Sequence, residues 1–198
     1  MSTQNSAIAS FHSFCTSVIS FTESEWQEFE KHLVIKKLKK NQHFIKEGEI
    51  CTRMAFVARG FTRLYFLIQG EEVTKDFCFE NTFTGSTASF ISREPSHFNV
   101  IAMEDTELVT IDYEGLMNLY DNYHCWSNFG RKLVEQFAIR KENREVSFLL
   151  YSPEDRYQDM LIKYPSIIQR VPLKLIASFL GMTPETLSRV RKKLSTRS

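Results

Sequence analysis

The sequence predicts an α+β fold: an N-terminal double-stranded β-helix (jelly-roll) barrel flanked by helices, then a long helix, then a C-terminal helix-turn-helix domain. Three observations predict it. Residues 34–112 are rich in β-branched and aromatic residues, in short segments separated by glycines. Residues 127–150 have helical periodicity, and residues 171–194 are typical of two short helices joined by a tight turn.

The composition is that of an ordinary globular protein, with 42% hydrophobic and 25% charged residues. The N-terminus lacks the basic start and apolar run of a signal peptide, and no apolar stretch is long enough to span a bilayer, so we expect a cytoplasmic protein without a membrane contact. The 4 cysteines and 5 histidines are dispersed. This spacing predicts reduced thiols and no metal site, and nothing in the sequence indicates catalytic residues or a resident cofactor.

The first predicted elements are a helix and a set of short strands. Thr22 and Glu25 have the spacing of a capping box, which predicts a helix to about Leu33 with Trp26 and Phe29 on one face. Glycines at roughly ten-residue intervals, and the alternation in residues 62–67, then favour a β-sandwich or jelly-roll barrel.

Helical character returns at Tyr113, and the long helix runs from about Ser127 to Leu150. Phe129, Leu133 and Phe137 form an apolar stripe on it. A helix of this length has more apolar surface than one small barrel covers. We therefore predict that the stripe is the interface of a homodimer, with packing inside one core as the alternative.

A helix start at Ser152 marks the last predicted boundary. Serine is a good N-cap, proline follows at the first helical position, and acidic residues lie in the first turn. The predicted division is residues 1–125 for a sensor barrel with its N-terminal helix, 126–151 for the dimerisation helix and 152–198 for the helix-turn-helix domain.

The C-terminal segment has the local signals of a helix-turn-helix. Leu173, Ile176, Ala177 and Leu180 share one helix face, and Gly181 ends that helix because glycine adopts a positive φ without strain. In the second helix Thr183 is the expected N-cap, Pro184 fits the first helical position, and Leu187, Val190 and Leu194 face inward.

Charge is unevenly distributed along the chain. Residues 156–198 hold nine Lys or Arg against two Asp or Glu, whereas residues 1–155 hold sixteen against twenty-two. A basic module on an acidic body suits binding of double-stranded DNA through one end, and a helical hairpin that only packs against the domain is the alternative.

A second basic stretch lies at residues 36–40, where the strand region begins. We expect it to be a solvated strand or loop, with a second DNA contact as its alternative.

The second helix carries the predicted DNA contacts. Arg189 suits a bidentate pair with guanine, and Glu185 suits the amino group of cytosine. Lys192 and Lys193 are placed for phosphates, which add affinity without sequence information. The full predicted set is Thr183, Glu185, Thr186, Ser188, Arg189, Lys192 and Lys193.

Together these elements resemble the Crp/Fnr family of bacterial transcription regulators over nearly the whole chain. The motifs that carry the resemblance are residues 46–49 (Lys-Glu-Gly-Glu), 58–60 (Ala-Arg-Gly), 83–85 (Phe-Thr-Gly) and 181–189. The resemblance implies a homodimer through the long helix, a two-fold symmetric DNA site, a barrel whose ligand reorients the DNA-binding domains, and RNA polymerase as a candidate partner.

The resemblance also implies a degenerate phosphate-binding segment. Cyclic-nucleotide-binding members have a glutamate for the ribose where this chain has Ser86, and an arginine for the phosphate where it has Ser96. The candidate pocket is Gly85, Ser86, Thr87, Ser96 and His97. Without the arginine a buried phosphate loses a charge-assisted interaction, so we expect weak or no binding of cyclic AMP and cyclic GMP and an unidentified small-molecule effector, if any. A cyclic-nucleotide-responsive regulator that uses altered contacts, such as protonated His97, is the alternative.

Other departures from the family pattern restrict which signal and which operator we expect. Oxygen sensing of the Fnr type needs clustered N-terminal cysteines, and only Cys15 lies there, while haem sensing stays open. Pro184 stands where the best-known members have a base-reading arginine, so the operator should differ, and we expect no β-hairpin wing after Leu194. A cupin-like metal enzyme is the alternative from another class, although no His-x-His pair lies in the strand region.

Overall fold

The structure, a computed structural model, describes residues 3–195. The chain forms two compact units that divide inside the long helix, between Val134 and Glu135. The predicted three-part division stays a prediction. Within the described residues, no helix combines the length and the apolarity that crossing a bilayer requires.

The first unit is a set of strands flanked by helices, as the α+β prediction requires. Its helices are α1 (Thr3–Val18), α2 (Glu23–Lys31), α3 (Thr87–Ser92), α4 (Tyr113–Asn122) and the first part of α5 (His124–Leu150). Its strands are β1 (Val34–Leu38), β2 (His43–Ile45), β3 (Arg53–Arg59), β4 (Thr62–Ile68), β5 (Glu71–Cys78), β6 (Phe83–Thr84), β7 (Asn99–Ala102) and β8 (Thr106–Asp112).

The strands form two antiparallel sheets, with the orders β1-β8-β3-β6 and β2-β7-β4-β5. Each early strand pairs with a late one, β1 with β8, β2 with β7, β3 with β6, and β4 with β5. This nested pairing is the topology of a jelly roll, in which a long hairpin folds over into two sheets. The predicted barrel is therefore confirmed.

Two apolar cores hold the first unit together. One fills the space inside the barrel and includes Val57, Leu64, Val100 and Leu108. The other lies on the outer side of the β3–β8 pair, where Phe56 and Val109 meet the flanking helices.

Helix α1 was not predicted from the sequence, and it contributes heavily to the outer core. Ala7, Phe11 and Cys15, spaced four residues apart on one helix face, are all buried there. The predicted helix that follows is confirmed, since Thr22 and Glu25 form a complete capping box at the start of α2.

The second unit consists of the end of α5 and four further helices. They are α6 (Pro153–Lys163), α7 (Ile167–Arg170), α8 (Leu173–Phe179) and α9 (Pro184–Ser195). The predicted cap at the start of α6 is present, because the Ser152 hydroxyl accepts the Asp155 N–H at 3.2 Å. Tyr157, Met160, Ile167, Ile176 and Leu187 are among the buried residues of this unit.

Candidate nucleic-acid interface and barrel interior

A tight turn joins α8 to α9. Gly181 has φ +65°, Gly181 N–H donates to the Ser178 carbonyl at 3.1 Å, and Met182 N–H donates to the Ala177 carbonyl at 3.0 Å. These two bonds form a Schellman motif, which satisfies the last carbonyls of α8 and needs a left-handed residue at its centre. Thr183 then caps α9 by accepting the Thr186 N–H at 3.2 Å.

The two sides of α9 differ as the sequence predicts. Leu187 and Val190 are buried against α8 and its neighbours. Of the seven predicted DNA contacts, Thr186 is half-buried and the other six are exposed. The exposed face begins at the first turn of the helix, the part that reaches base edges when such a helix enters a major groove.

The hydroxyl groups of Thr183 and Thr186 contact the two residues predicted to read bases, Glu185 and Arg189. Arg189 Nη2 donates to Thr186 Oγ1 at 3.1 Å, and Thr183 Oγ1 donates to the same oxygen at 3.3 Å. Glu185 lies in the same turn, where its own backbone N–H, the Thr183 side chain and the Arg189 charge hold its pKa below the ordinary range. Glu185 is therefore ionised at neutral pH and can accept a hydrogen bond from a base.

The predicted phosphate contacts are not equivalent. Lys193 Nζ lies 2.8 Å from Glu154 Oε1, so Lys193 connects α9 to α6 as well as facing solvent.

The basic stretch 36–40 of the barrel takes part in ion pairs. Lys39 pairs with Asp105 at 2.7 Å and Lys37 with Glu107 at 3.1 Å. These pairs fit the expectation that the basic stretch 36–40 is a solvated strand face.

The predicted ligand segment is held mainly by its own backbone. The Ser96 hydroxyl donates to the Phe98 carbonyl at 2.8 Å, and the backbone of Ser96 bonds the turn at Gly48 and Glu49. Gly85 and Ser86 are buried at the start of α3, Thr87 is half-buried, and His97 is exposed. The short helix α3 was not predicted.

Large apolar side chains fill the barrel beside this segment. Phe98 is 7% exposed and meets the Phe66 ring edge-on at a centroid distance of 5.8 Å. Lys75 Nζ lies 3.5 Å from the centre of the Phe98 ring, and Phe90 is buried in the same core. The sequence did not predict this role for Phe98, because the packing around it joins strands that are far apart in sequence.

A pocket is formed by residues of β1, β2 and the segment 49–53. It is lined by Lys36, Phe44, Ile45, Glu49, Ile50, Cys51, Thr52 and Arg53, and it contains none of the predicted ligand residues. Two side chains that do not line the pocket hold the Arg53 guanidinium. Its Nε donates to Thr110 Oγ1 at 3.0 Å, and its Nη1 pairs with Asp112 at 3.3 Å.

The four cysteines are free thiols. Burial raises the pKa of the Cys15 and Cys51 thiols, and burial together with Glu25 raises that of Cys125 to about 11. Thiols with raised pKa values are poor nucleophiles and poor metal ligands at neutral pH. Among the residues that the structure describes, no cluster of three His, Cys, Asp or Glu side chains is arranged to hold a metal ion.

The predicted dimer stripe on α5 divides into core and surface. Phe129 is 3% exposed and packs in the outer core of the first unit, and Leu133 packs against the same core. Phe137 is 44% exposed, with Lys141 Nζ 5.0 Å above its ring. The outer-core residues thus cover the Phe129 ring within one protomer, and the role of the stripe in a dimer stays a prediction.

Comparison with known proteins supports the fold on independent grounds. Residues 35–123 match the family model of the cyclic nucleotide-binding domain. No curated protein sequence matches the chain.

Several solved structures share the fold. FixK2 from Bradyrhizobium japonicum superposes with a TM-score of 0.71 at 18% identity, over 83% of this chain and 85% of that one. A protein from Eubacterium rectale described as a transcriptional regulator of the Crp/Fnr family gives 0.69 at 20% identity, over 89% and 85%. The catabolite activator protein of Thermus thermophilus gives 0.54 at 19% identity, over 90% and 85%. These matches confirm the fold that the motifs led us to expect.

Proposed function

We propose that this chain, with the fold of the Crp/Fnr regulators and a barrel of the cyclic nucleotide-binding type, is a dimeric, sequence-specific DNA-binding transcription regulator. It would act in the cytoplasm, with RNA polymerase as the partner of any activating step. Its barrel would answer to an effector other than cyclic AMP or cyclic GMP, or to none. One solved structure of similar fold is described as a transcriptional regulator of the Crp/Fnr family, which supports a regulator rather than an enzyme.

The observation that carries the proposal is the exposed face of α9. Glu185 is ionised, and Arg189 is held by Thr186 one turn away. An arginine and a carboxylate on the first turns of an exposed helix can read guanine and cytosine in neighbouring base pairs. Lys192, one turn further along, is exposed and suits a phosphate.

A two-fold arrangement is supported by the free surface of α5. Val134 and Phe137, about one turn apart on the same side of α5, are 57% and 44% exposed, which is unusual for large apolar residues on one helix face. A second copy of the same helix would cover such residues in a symmetric, self-complementary interface. We therefore propose an interface formed by Phe137 and its exposed neighbours, with Leu133 at its border.

Arg189→Ala should reduce sequence preference more than overall affinity. A bidentate arginine–guanine pair contributes about 1–3 kcal/mol of discrimination, roughly 5- to 150-fold, and alanine removes it. Lys192→Ala should instead weaken binding to all duplexes alike. It should also reduce the slope of log affinity against log salt concentration by about one. Fluorescence anisotropy on the best duplex from a random pool, on that duplex with single-base changes and on a scrambled duplex separates the two effects.

The two variants control for each other, because both remove one exposed cation from the same helix. Equal loss on selected and scrambled DNA for Arg189→Ala would remove Arg189 from base readout. Failure of the wild-type protein to enrich any duplex from the pool would remove the proposed function itself.

The barrel is proposed not to bind cyclic nucleotides, for two reasons that act together. Neither Ser86 nor Ser96 offers a charge, and the Ser96 hydroxyl already donates to a backbone carbonyl. Phe98 and Phe90, next to that segment, are buried in the apolar core of the barrel. A charged phosphate placed there would lose its water without gaining an arginine.

The rival is a regulator that binds cyclic AMP or cyclic GMP through other contacts, and the family-model match over residues 35–123 favours testing it. A ligand at 100 times its Kd adds about 2.7 kcal/mol of stability, so binding would raise the melting temperature by several degrees. We expect no shift with either nucleotide at millimolar concentration, measured beside a cyclic nucleotide-binding protein as positive control. A saturable shift would establish the rival.

A further inference from the structure

The end of α5 contacts the turn of the helix-turn-helix directly. Arg144 Nη2 donates to the Phe179 carbonyl at 2.9 Å. The guanidinium carbon of Arg144 lies 4.2 Å from the centre of the Phe179 ring and 4.8 Å from that of Phe148. One side chain of α5 thus holds both the last helical carbonyl of α8 and an aromatic ring on each helix.

Phe148 completes this contact one turn further along α5. A Cβ atom added to Gly181 would lie 2.6 Å from Phe148 Cε1, so the ring sits directly against the turn backbone. The Arg156 guanidinium of α6 lies 5.4 Å from the same ring and donates to the Tyr151 carbonyl at 3.1 Å. We call Arg144, Phe148, Phe179 and Gly181 the Arg144 clasp.

The chemistry of the clasp requires arginine. A planar guanidinium can stack on rings and donate in its own plane at the same time, whereas a lysine ammonium cannot do both. Its charge also suits the C-terminal end of α8, where carbonyl groups carry the negative end of the helix dipole.

Of the clasp residues, Phe179 also belongs to the buried core of the DNA-binding helices, whereas the Arg144 side chain adds a contact outside that core. Ile176, Ala177, Leu187 and Val190 are all buried, and the Schellman turn closes through backbone bonds. Removing the Arg144 guanidinium leaves these contacts in place. What it removes is the hydrogen bond and the ring contact by which Arg144 joins α5 to the last turn of α8.

We propose that Arg144 is a positioning residue that sets the direction of α9 relative to α5, and hence the half-site spacing that a dimer of this protein reads. The inference rests on the proposed function, because it requires a dimer through α5 and a DNA-reading α9. In helix-turn-helix dimers the two recognition helices meet half-sites about one helical turn apart, so the angle at each clasp determines which spacing fits. The positioning role of Arg144 does not require a ligand in the barrel.

The test uses the full chain on duplexes that carry one half-site, or two half-sites at centre-to-centre spacings that vary in single base pairs. Wild-type protein should prefer one spacing by about 10-fold or more, since the second half-site then binds as an intramolecular event. Arg144→Lys should reduce that preference to about 2-fold while half-site affinity stays within about 2-fold of wild type. Phe148→Leu should act in the same direction.

Arg131→Lys is the matched control, an exposed arginine on the same helix outside the clasp, and it should keep the wild-type preference. A full spacing preference in both Arg144→Lys and Phe148→Leu overturns the positioning role. So does a parallel loss of half-site binding and of melting temperature, which would make the clasp a part of the fold alone. If the wild-type protein binds no half-site selectively, the proposed function itself is wrong. That result differs from the two above, which contradict only the positioning role of Arg144.

Discussion

Phe129→Ala should lower the free energy of unfolding by about 3–5 kcal/mol, the usual cost of removing a large buried aromatic side chain. The ring is 3% exposed and lies 6.1, 6.3 and 6.4 Å from the rings of Trp126, Phe14 and Phe83. Alanine would leave a cavity among rigid rings that cannot close around it. Guanidinium unfolding followed by tryptophan fluorescence measures the loss, because Trp126 is in the affected core.

Phe137→Ala is the matched control on the same helix. Its ring is exposed in the protomer, so removal should weaken dimerisation, measured by sedimentation equilibrium, with little change in the unfolding of the dissociated protomer. If Phe129→Ala instead dissociated a dimer and left protomer stability unchanged, Phe129 would act in the dimer interface that the sequence predicted and not in the core.

Gly181→Ala should destabilise the DNA-binding unit by about 1–3 kcal/mol and weaken binding to selected and scrambled duplexes together. A left-handed conformation costs an alanine about 1–2 kcal/mol. The new methyl group would also stand 2.6 Å from Phe148 Cε1, so the exposed ring must turn away. Thermal unfolding and DNA anisotropy on the same samples measure the two effects.

Two further variants separate strain from collision at this position. Asparagine tolerates the left-handed region better than alanine, yet it carries the same Cβ, so Gly181→Asn retains the collision and relieves the strain. Gly181→Ala combined with Phe148→Leu relieves the collision and retains the strain. Full stability in Gly181→Ala would mean that the turn does not need its left-handed geometry.

The parts predicted best from the sequence are those whose signals are local. Gly181, Thr183 and Pro184 specify the end of one helix and the start of the next within four residues, and the structure places a Schellman turn and a cap there. The capping boxes at Thr22 and Ser152 are equally local. Such signals work because each is a short-range hydrogen-bond requirement of a helix end.

The parts predicted poorly depend on what packs against them. The stripe of Phe129, Leu133 and Phe137 is apolar whether it meets its own barrel or a second chain, so periodicity alone could not divide it. Helix α1 does have a local signal in the sequence, since Ala7, Phe11 and Cys15 repeat at intervals of four, the spacing of one helix face. The filling of the barrel by Phe90 and Phe98 had no such signal, because it joins segments from different strands.

The nested strand pairing also determines the order in which the chain can fold. Thr110 Oγ1 donates to the Val34 carbonyl across a separation of 76 residues, so β1 leaves the ribosome long before its partner β8 exists. Contacts this distant slow folding, whereas a helix-turn-helix forms from neighbours along the chain. During that delay β1 is an unpaired strand, and unpaired strands invite aggregation. In the folded barrel Lys36 Nζ lies 5.1 Å from the centre of the Phe44 ring and Lys37 pairs with Glu107. Before β8 exists, the same two positive charges on β1 would disfavour its pairing with other chains.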